Sequence, residues 1–291
     1  MTDTPQTNRA NTPASGGPSP LLAFEDIEFL RHPDLRPVRL QLELLKPEWH
    51  LRQNGINSTV VVFGSARIPS PEIARQQLDE LVGQDDGESL ARARARVDLS
   101  RYYEEARRFA GIVTRRFQTE ARRDFVIVTG GGPGIMEAAN RGADEAGGRS
   151  IGFNITLPHE QAPNPFITED LSFRFHYFAI RKMHLLLRAR GLVVFPGGYG
   201  TLDELFEALT LIQTNKLSPI PVVLVGADFW HRTIDFGFLV EQGLISQEET
   251  RLFRIVEDAQ GAVDALVGFY GGVVPNDLGD EQHPAGSGFH P

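Results

Sequence analysis

The chain contains no cysteine, which excludes disulfides, thiol nucleophiles and thiolate metal sites. No apolar run approaches the ~20 residues needed to span a bilayer, so no membrane association is expected. The first residues carry neither the basic nor the apolar region of a secretory signal, and the cytoplasm is the expected compartment. Positive charge is in deficit: 29 Lys and Arg face 38 Asp and Glu, a formal charge of −9, which argues against nucleic acid as a bulk partner. The eight histidines are scattered, without H-x-x-x-H spacing or a histidine–carboxylate cluster, so no metal is expected. The dinucleotide fingerprint G-x-G-x-x-G also fails. Counted from Gly130, Gly132 or Gly198, its third glycine falls on Ile135, Glu137 or Asp203. There is no G-x-x-x-x-G-K-[ST] loop, and Ser65 lacks a G-x-S-x-G elbow. Dehydrogenase, P-loop and serine-hydrolase chemistry all lose support, and no cofactor is expected.

What remains is ample material for a core: 291 residues, 41% hydrophobic. Residues 1–20 are Thr, Pro, Ser, Gly, Asn and Gln with little to bury and are expected to be disordered, as is the Gly- and Pro-rich tail 271–291. Residues 21–56 read as a helical extension, with Asp34 as a cap and Pro37 in a first turn. One domain is expected over 57–270. Its apolar runs Thr59–Phe63, Phe125–Thr129, Ser150–Ile155, Leu192–Phe195, Pro221–Val225 and Leu252–Val256 alternate with amphipathic helical patterns. Leu171, Phe173 and Phe175 add a half-exposed strand. The expected fold is α/β: a doubly wound, Rossmann-like parallel sheet of about seven strands with right-handed crossovers. One arginine-rich helix is expected over Ser89–Gln118, its arginines forming a solvated face with pairs such as Glu104–Arg108. A helix is expected over Phe178–Arg190 and another over Phe229–Gln242.

Three glycine-bearing loops directly follow strands: Gly64-Ser65, Gly130-Gly131-Gly132-Pro133-Gly134, and Gly197-Gly198-Tyr199-Gly200. In such a sheet they line the carboxyl edge, where ligands bind. The last loop runs into a helix whose N-terminal amides and dipole suit a phosphate, with Thr201 and Glu204 close behind. Thr201-Leu-Asp-Glu204 is also a capping-box pattern, so the spacing alone leaves Glu204 divided between capping the helix and acting on a ligand. Asp203 reads as a first-turn acid, Glu207 as a helix-surface residue, and Glu137 as a first-turn acid of its own helix. Arg181 and Lys182 open an otherwise apolar helix at the end where the dipole disfavours cations. Either an anion compensates them or they snorkel to water. His184 and Arg188 share the Arg181 face and read as packing or interface residues.

The string from Pro196 to Glu204 matches P-G-G-x-G-T-x-x-E at every fixed position. With Arg181-Lys182 and the Gly130–Gly134 loop, the chain resembles the Lonely Guy family of nucleoside 5′-monophosphate phosphoribohydrolases over roughly 57–270. Relatives often carry a lysine decarboxylase label, for which this sequence offers no pyridoxal-phosphate lysine context. The resemblance implies hydrolysis of the N-glycosidic bond of a purine nucleotide, such as AMP or an N6-modified cytokinin riboside monophosphate, to free base and ribose 5-phosphate. It implies Glu204 and Arg181 as the catalytic pair. Gly197, Gly198, Gly200, Thr201 and Lys182 would hold the phosphate, and Gly64, Ser65, Gly130, Gly131 and Gly132 would border the nucleotide. A homodimer or higher homo-oligomer is also implied. Glu137 stands where compact plant-like members have glycine, and with the N-terminal extension it looks like the longer bacterial branch. The alternative is a non-catalytic carrier of a nucleotide or molybdenum cofactor on the same fold.

Overall fold

The computed structural model describes residues 21–82, 87–119, 122–156 and 162–272. The expected disordered stretch 1–20 lies outside the described residues, as does the expected disordered tail 271–291 beyond Gly272. The chain divides into two compact units between Leu42 and Glu43. In the first, α1 (Ile27–Arg31) is capped by Asp26, and Arg39 Nη1 donates to the carbonyls of Leu30 and His32, both at 2.8 Å. A single 3-10 turn, Pro33–Leu35, leads directly into α2 (Arg36–Gln53), which runs on into the second unit. Asp34 therefore sits inside that turn and does not cap α2.

The second unit continues as β1 (Thr59–Phe63), α3 (Pro71–Leu81), α4 (Gly87–Leu99), α5 (Arg101–Phe117), β2 (Val126–Thr129), α6 (Ile135–Glu145), β3 (Ser150–Ile155) and β4 (Ser172–Phe175). It ends with α7 (Phe178–Leu187), β5 (Ala189–Val194), α8 (Tyr199–Gln213), β6 (Val222–Val225), α9 (Ala227–Thr233), α10 (Phe236–Glu241), β7 (Phe253–Val256) and α11 (Ala259–Phe269). All seven strands are parallel, in the order β4-β3-β2-β1-β5-β6-β7. This is the doubly wound sheet expected from the apolar runs. Successive residues face opposite sides. Val60 and Val62 pack with Ile127, Val193 and the helices α5, α6 and α11. Val61 and Phe63 pack with Val128, Val194, α7, α8 and Trp230.

Several boundaries differ from the expected ones for local reasons. The arginine-rich segment is two helices, broken at Ser100, whose hydroxyl donates to the Val97 carbonyl at 2.7 Å and competes with the helix ladder. In α5, Arg107 rather than Arg108 pairs with Glu104, at 3.2 Å, and it also holds Glu145 on α6. Helix α7 stops at Leu187, because Ala189 is already paired with Thr59 of β1: sheet pairing overrides local helix preference. The 229–242 segment splits at an extended Ile234, with Asp235 capping α10 through Phe238 N at 2.9 Å.

A buried polar network anchors the loop after β2. Asn140 of α6, fully buried, accepts from Thr129 Oγ1 at 2.7 Å and from Asn164 Nδ2 at 3.0 Å, and donates to Ser150 Oγ at 3.0 Å. Thr129 Oγ1 in turn accepts from Gly131 N, and Asn164 bonds the carbonyls of Gly131 and Gly132. Replacing Asn140 leaves several buried groups unpaired, each costing about 1–3 kcal/mol. Asn140→Ala is expected to lower unfolding free energy by about 2–4 kcal/mol, measured by urea denaturation; a change within ~0.5 kcal/mol would remove the network from any structural role.

Candidate active site

The strand order reverses direction between β1 and β5, and the chain leaves those neighbouring strands toward opposite faces. A crevice opens at this point in such sheets. Beyond the paired strands, Phe195 N still donates to Phe63 O at 2.8 Å and Ser65 N to Pro196 O at 3.0 Å, so the two loops leave the sheet side by side. Gly64 must lack a side chain, since a Cβ would lie 2.5 Å from Ile135 of α6. Gly134, at φ +70°, lies beneath the Ser65 carbonyl, 2.4 Å from where its own Cβ would be. Two glycines thus lock the loops after β1 and β2 together.

Between these loops lies a cavity of about 630 Å³, lined by Phe63, Gly64, Ser65, Ala66, Arg67, Gly130, Met136, Arg181, Gly198, Tyr199, Gly200, Thr201, Leu202 and Glu204. Of the residues the motifs singled out, Gly64, Ser65, Gly130, Arg181, Gly198, Gly200, Thr201 and Glu204 meet here. Gly131 and Gly132 do not line it, because their backbone groups are turned toward Thr129 and Asn164. Gly197 stands just behind, packed against Thr201. Arg67, Met136 and Tyr199 line the cavity without having been singled out. Arg67 follows directly on the Gly64-Ser65 turn, which was the available signal.

Helix α8 begins at Tyr199, with Gly198 as a cap that has no side chain, and its first internal bond is Leu202 N to Gly198 O at 3.0 Å. The amides of the first turn therefore lack intrahelical acceptors, and the residues bearing them line the cavity. A helix start of this kind suits an anion. Because the helix starts at Tyr199, two residues before Thr201, Glu204 lies in its second turn. It cannot complete a capping box there. Its carboxylate instead accepts from Arg181 Nη2 of α7 at 3.0 Å, with the two side chains only 8% and 13% exposed.

Lys182, the next residue of α7, does not line the cavity. Its ammonium pairs with Asp203 at 2.7 Å and Glu207 at 3.1 Å on α8, so Asp203 is an ion-pair partner rather than a free first-turn acid. Arg181 and Lys182 do not snorkel: carboxylates of α8 hold both. Burial raises the Glu204 pKa above its ordinary value of 4.5; Arg181 and Lys182 pull it down, and Glu207 and Asp203 push it up. Burial wins. Glu137 is the first-turn acid of α6, accepting from Tyr103 Oη at 2.8 Å. Among the described residues no group of three or more His, Asp or Glu is placed to hold a metal, and no helix is long and apolar enough to cross a membrane.

Known proteins resemble this chain over its second half. A family model described as "Possible lysine decarboxylase" matches residues 136–266. A pyrimidine/purine nucleotide 5′-monophosphate nucleosidase of Escherichia coli (strain K12) is 32% identical over 155 residues, covering 47% of this chain and 32% of that protein. A probable cytokinin riboside 5′-monophosphate phosphoribohydrolase of Oryza sativa subsp. japonica is 29% identical over 158 residues, covering 51% of this chain and 60% of that one. A cytokinin riboside 5′-monophosphate phosphoribohydrolase of Arabidopsis thaliana is 26% identical over 153 residues, covering 50% and 67%. The matched segment spans about a third of the length of the E. coli protein. The solved structure of a molybdenum cofactor binding protein from Rippkaea orientalis aligns over 74% of this chain and 98% of that chain, at 18% identity and a TM-score of 0.45. The resemblance to the Lonely Guy family is thus borne out, over a region holding Arg181, the Pro196–Thr201 loop and Glu204.

Glu204 binds its proton more tightly in the folded state than an ordinary glutamate does, so its ionisation opposes folding. That contribution to stability is lost as pH rises from 4.5 through the raised value. Glu204→Gln cannot ionise. Its stability relative to the wild type is expected to grow as pH rises from 4 to 7, measured by urea denaturation at each pH; a constant difference would contradict the raised pKa.

Proposed function

We propose that residues 57–270 form a catalytic domain that hydrolyses the N-glycosidic bond of purine nucleoside 5′-monophosphates, yielding free base and ribose 5-phosphate. One observation carries this reading: a buried carboxylate, Glu204, shares a cavity with the uncapped N-terminus of its own helix and is held by Arg181. The α8 amides at Gly198–Thr201 take the 5′-phosphate, and Gly64, Ser65 and Gly130 border the nucleotide. Binding energy from the phosphate, remote from the reacting bond, fixes the sugar for attack.

Cleavage of the bond between the anomeric carbon and the base nitrogen builds positive charge on the ribose, as in glycoside hydrolysis. The ionised Glu204 carboxylate stabilises that charge and accepts a proton from the attacking water. The hydroxyl joins the anomeric carbon. The bonding pair leaves with the base nitrogen, which takes a proton from solvent as Glu204 releases to solvent the one it accepted. A carboxylate with a raised pKa is the better base for this role. Arg181 keeps Glu204 oriented and balances the anionic substrate. Lys182, tied to Asp203 and Glu207, holds α7 against α8.

The relatives' names support a nucleoside monophosphate substrate, and the E. coli protein's name extends the class to be tested to pyrimidines. We place the activity in the cytoplasm of the cell, carried by a homodimer. The absence of cysteine fits a protein with no disulfide requirement, and Tyr199, 94% exposed, with Phe206 gives α8 an apolar patch for a second copy to cover.

The test is a base-release assay across AMP, N6-substituted AMP, other purine and pyrimidine monophosphates, and the corresponding nucleosides. Monophosphates are expected to be cleaved and nucleosides not; equal cleavage of both would remove the phosphate anchor. Glu204→Gln is expected to keep AMP affinity and lose turnover by at least ~100-fold. The acid limb of kcat/KM is expected above pH 4.5. Tight AMP binding with no adenine released would favour the carrier reading.

A further inference from the structure

Helix α7 carries Arg181 and Lys182 within its first five residues, where the helix dipole repels cations. Its cap residue, Tyr177, supplies no side-chain acceptor. An acid from a distant part of the chain takes that place. Glu43 of α2 accepts from His176 N at 3.0 Å with one carboxylate oxygen and from Tyr177 N at 3.2 Å with the other. At the opposite end, Arg188 closes α7 and is gripped by Glu48 of α2, with Nη2 at 2.8 Å and Nε at 3.1 and 3.2 Å from the carboxylate oxygens. Arg188 Nη1 donates to the Ile56 carbonyl at 2.7 Å, and the Arg188 and Glu48 side chains are only 15% and 17% exposed.

The middle of α7 meets the same turn of α2. His184 is buried, its ring 5.8 Å from that of Phe153 and 5.4 Å from that of Phe175. Burial holds its pKa below the usual histidine value, against the pull of Glu48 and of the Glu43 and Leu44 carbonyls, while Arg188 adds to the depression. Pro47, inside α2, has no N–H to offer the Glu43 carbonyl four residues earlier. The turn from Glu43 to Glu48 therefore addresses α7 at its start, its middle and its end.

We propose that this turn of α2 is a strap that fixes α7, and that Glu43 and Glu48 are positioning residues that hold Arg181 against Glu204. Neither touches the cavity; both act through α7. The inference rests on the reading of Arg181 and Glu204 as the reacting pair, yet its physical content is the separation of those two groups, which is measurable without turnover.

The experiment uses the full chain with Glu43→Ala and Glu48→Ala, plus Glu43→Gln, which keeps a neutral acceptor. The Glu204 carboxyl is titrated by 13C NMR, its signal assigned with Glu204→Gln. Arg181 lowers the Glu204 pKa, so a strap that no longer places it is expected to move the Glu204 midpoint up by ~0.5 unit or more. Glu43→Gln is expected to move it less than Glu43→Ala. Adenine release from AMP is expected to fall ~10-fold in kcat with KM within ~2-fold. Folded variants with an unmoved Glu204 midpoint would overturn the proposal, whatever their rates. Should the wild type release no base from any nucleotide, the proposed activity fails and the titration alone still decides the strap. Should the alanine variants not fold, Glu48→Gln, which keeps the side-chain shape but loses the ion pair with Arg188, carries the decision: an unmoved midpoint there rejects the strap.

Discussion

A carboxylate taken out of water beside a guanidinium is the constraint around which the site is arranged. Glu204 and Arg181 are each too buried to be left unpaired, since removing one partner of such a pair commonly costs about 3–5 kcal/mol. The two helices that supply them must therefore cross at one fixed place. Lys182 reinforces the crossing through Asp203 and Glu207, so adjacent cations on α7 engage three acids on α8. The attraction does not fully compensate the loss of hydration, and the carboxyl remains a stronger base than one in water.

Sheet topology explains why this pair faces a cavity rather than a core. With β1 and β5 adjacent and their connections on opposite faces, the space above their carboxyl ends is left unfilled. Strand β5 delivers the start of α8 there, β1 delivers Gly64 to Arg67, and β2 delivers Gly130. Fixed backbone dipoles at the start of α8 and the charge of the Glu204 side chain thus share one cavity. The dipoles need no titratable group.

The strands were legible because each is a short apolar run buried on both faces, and no alternative placement hides Val60–Val62 or Leu192–Val194 so well. The loop Pro196–Thr201 was legible because small residues in that order after an apolar run let the backbone turn sharply into a helix start. The role of Glu204 was not. It turned on where α8 begins, and Tyr199-Gly200 carries no sequence mark of a helix start. The partners of Lys182, and the places of Glu43 and Glu48, were hidden more deeply. Glu43 meets Tyr177 across 134 positions and Glu48 meets Arg188 across 140, separations at which local pattern is silent. Asn140 and Asn164 were invisible likewise, since a buried amide declares itself only once its neighbours are known.

The backbone bond from Ser65 to Pro196 joins parts of the chain that leave the ribosome far apart in time. Contacts of such long sequence separation form only after the intervening loop entropy has been overcome. The pocket consequently has no partial version: a nascent chain that ends before α8 possesses one wall and no opposite one. The cavity is therefore complete only when β5 and the start of α8 have joined β1, and anything bound in it would bridge the joint between those strands.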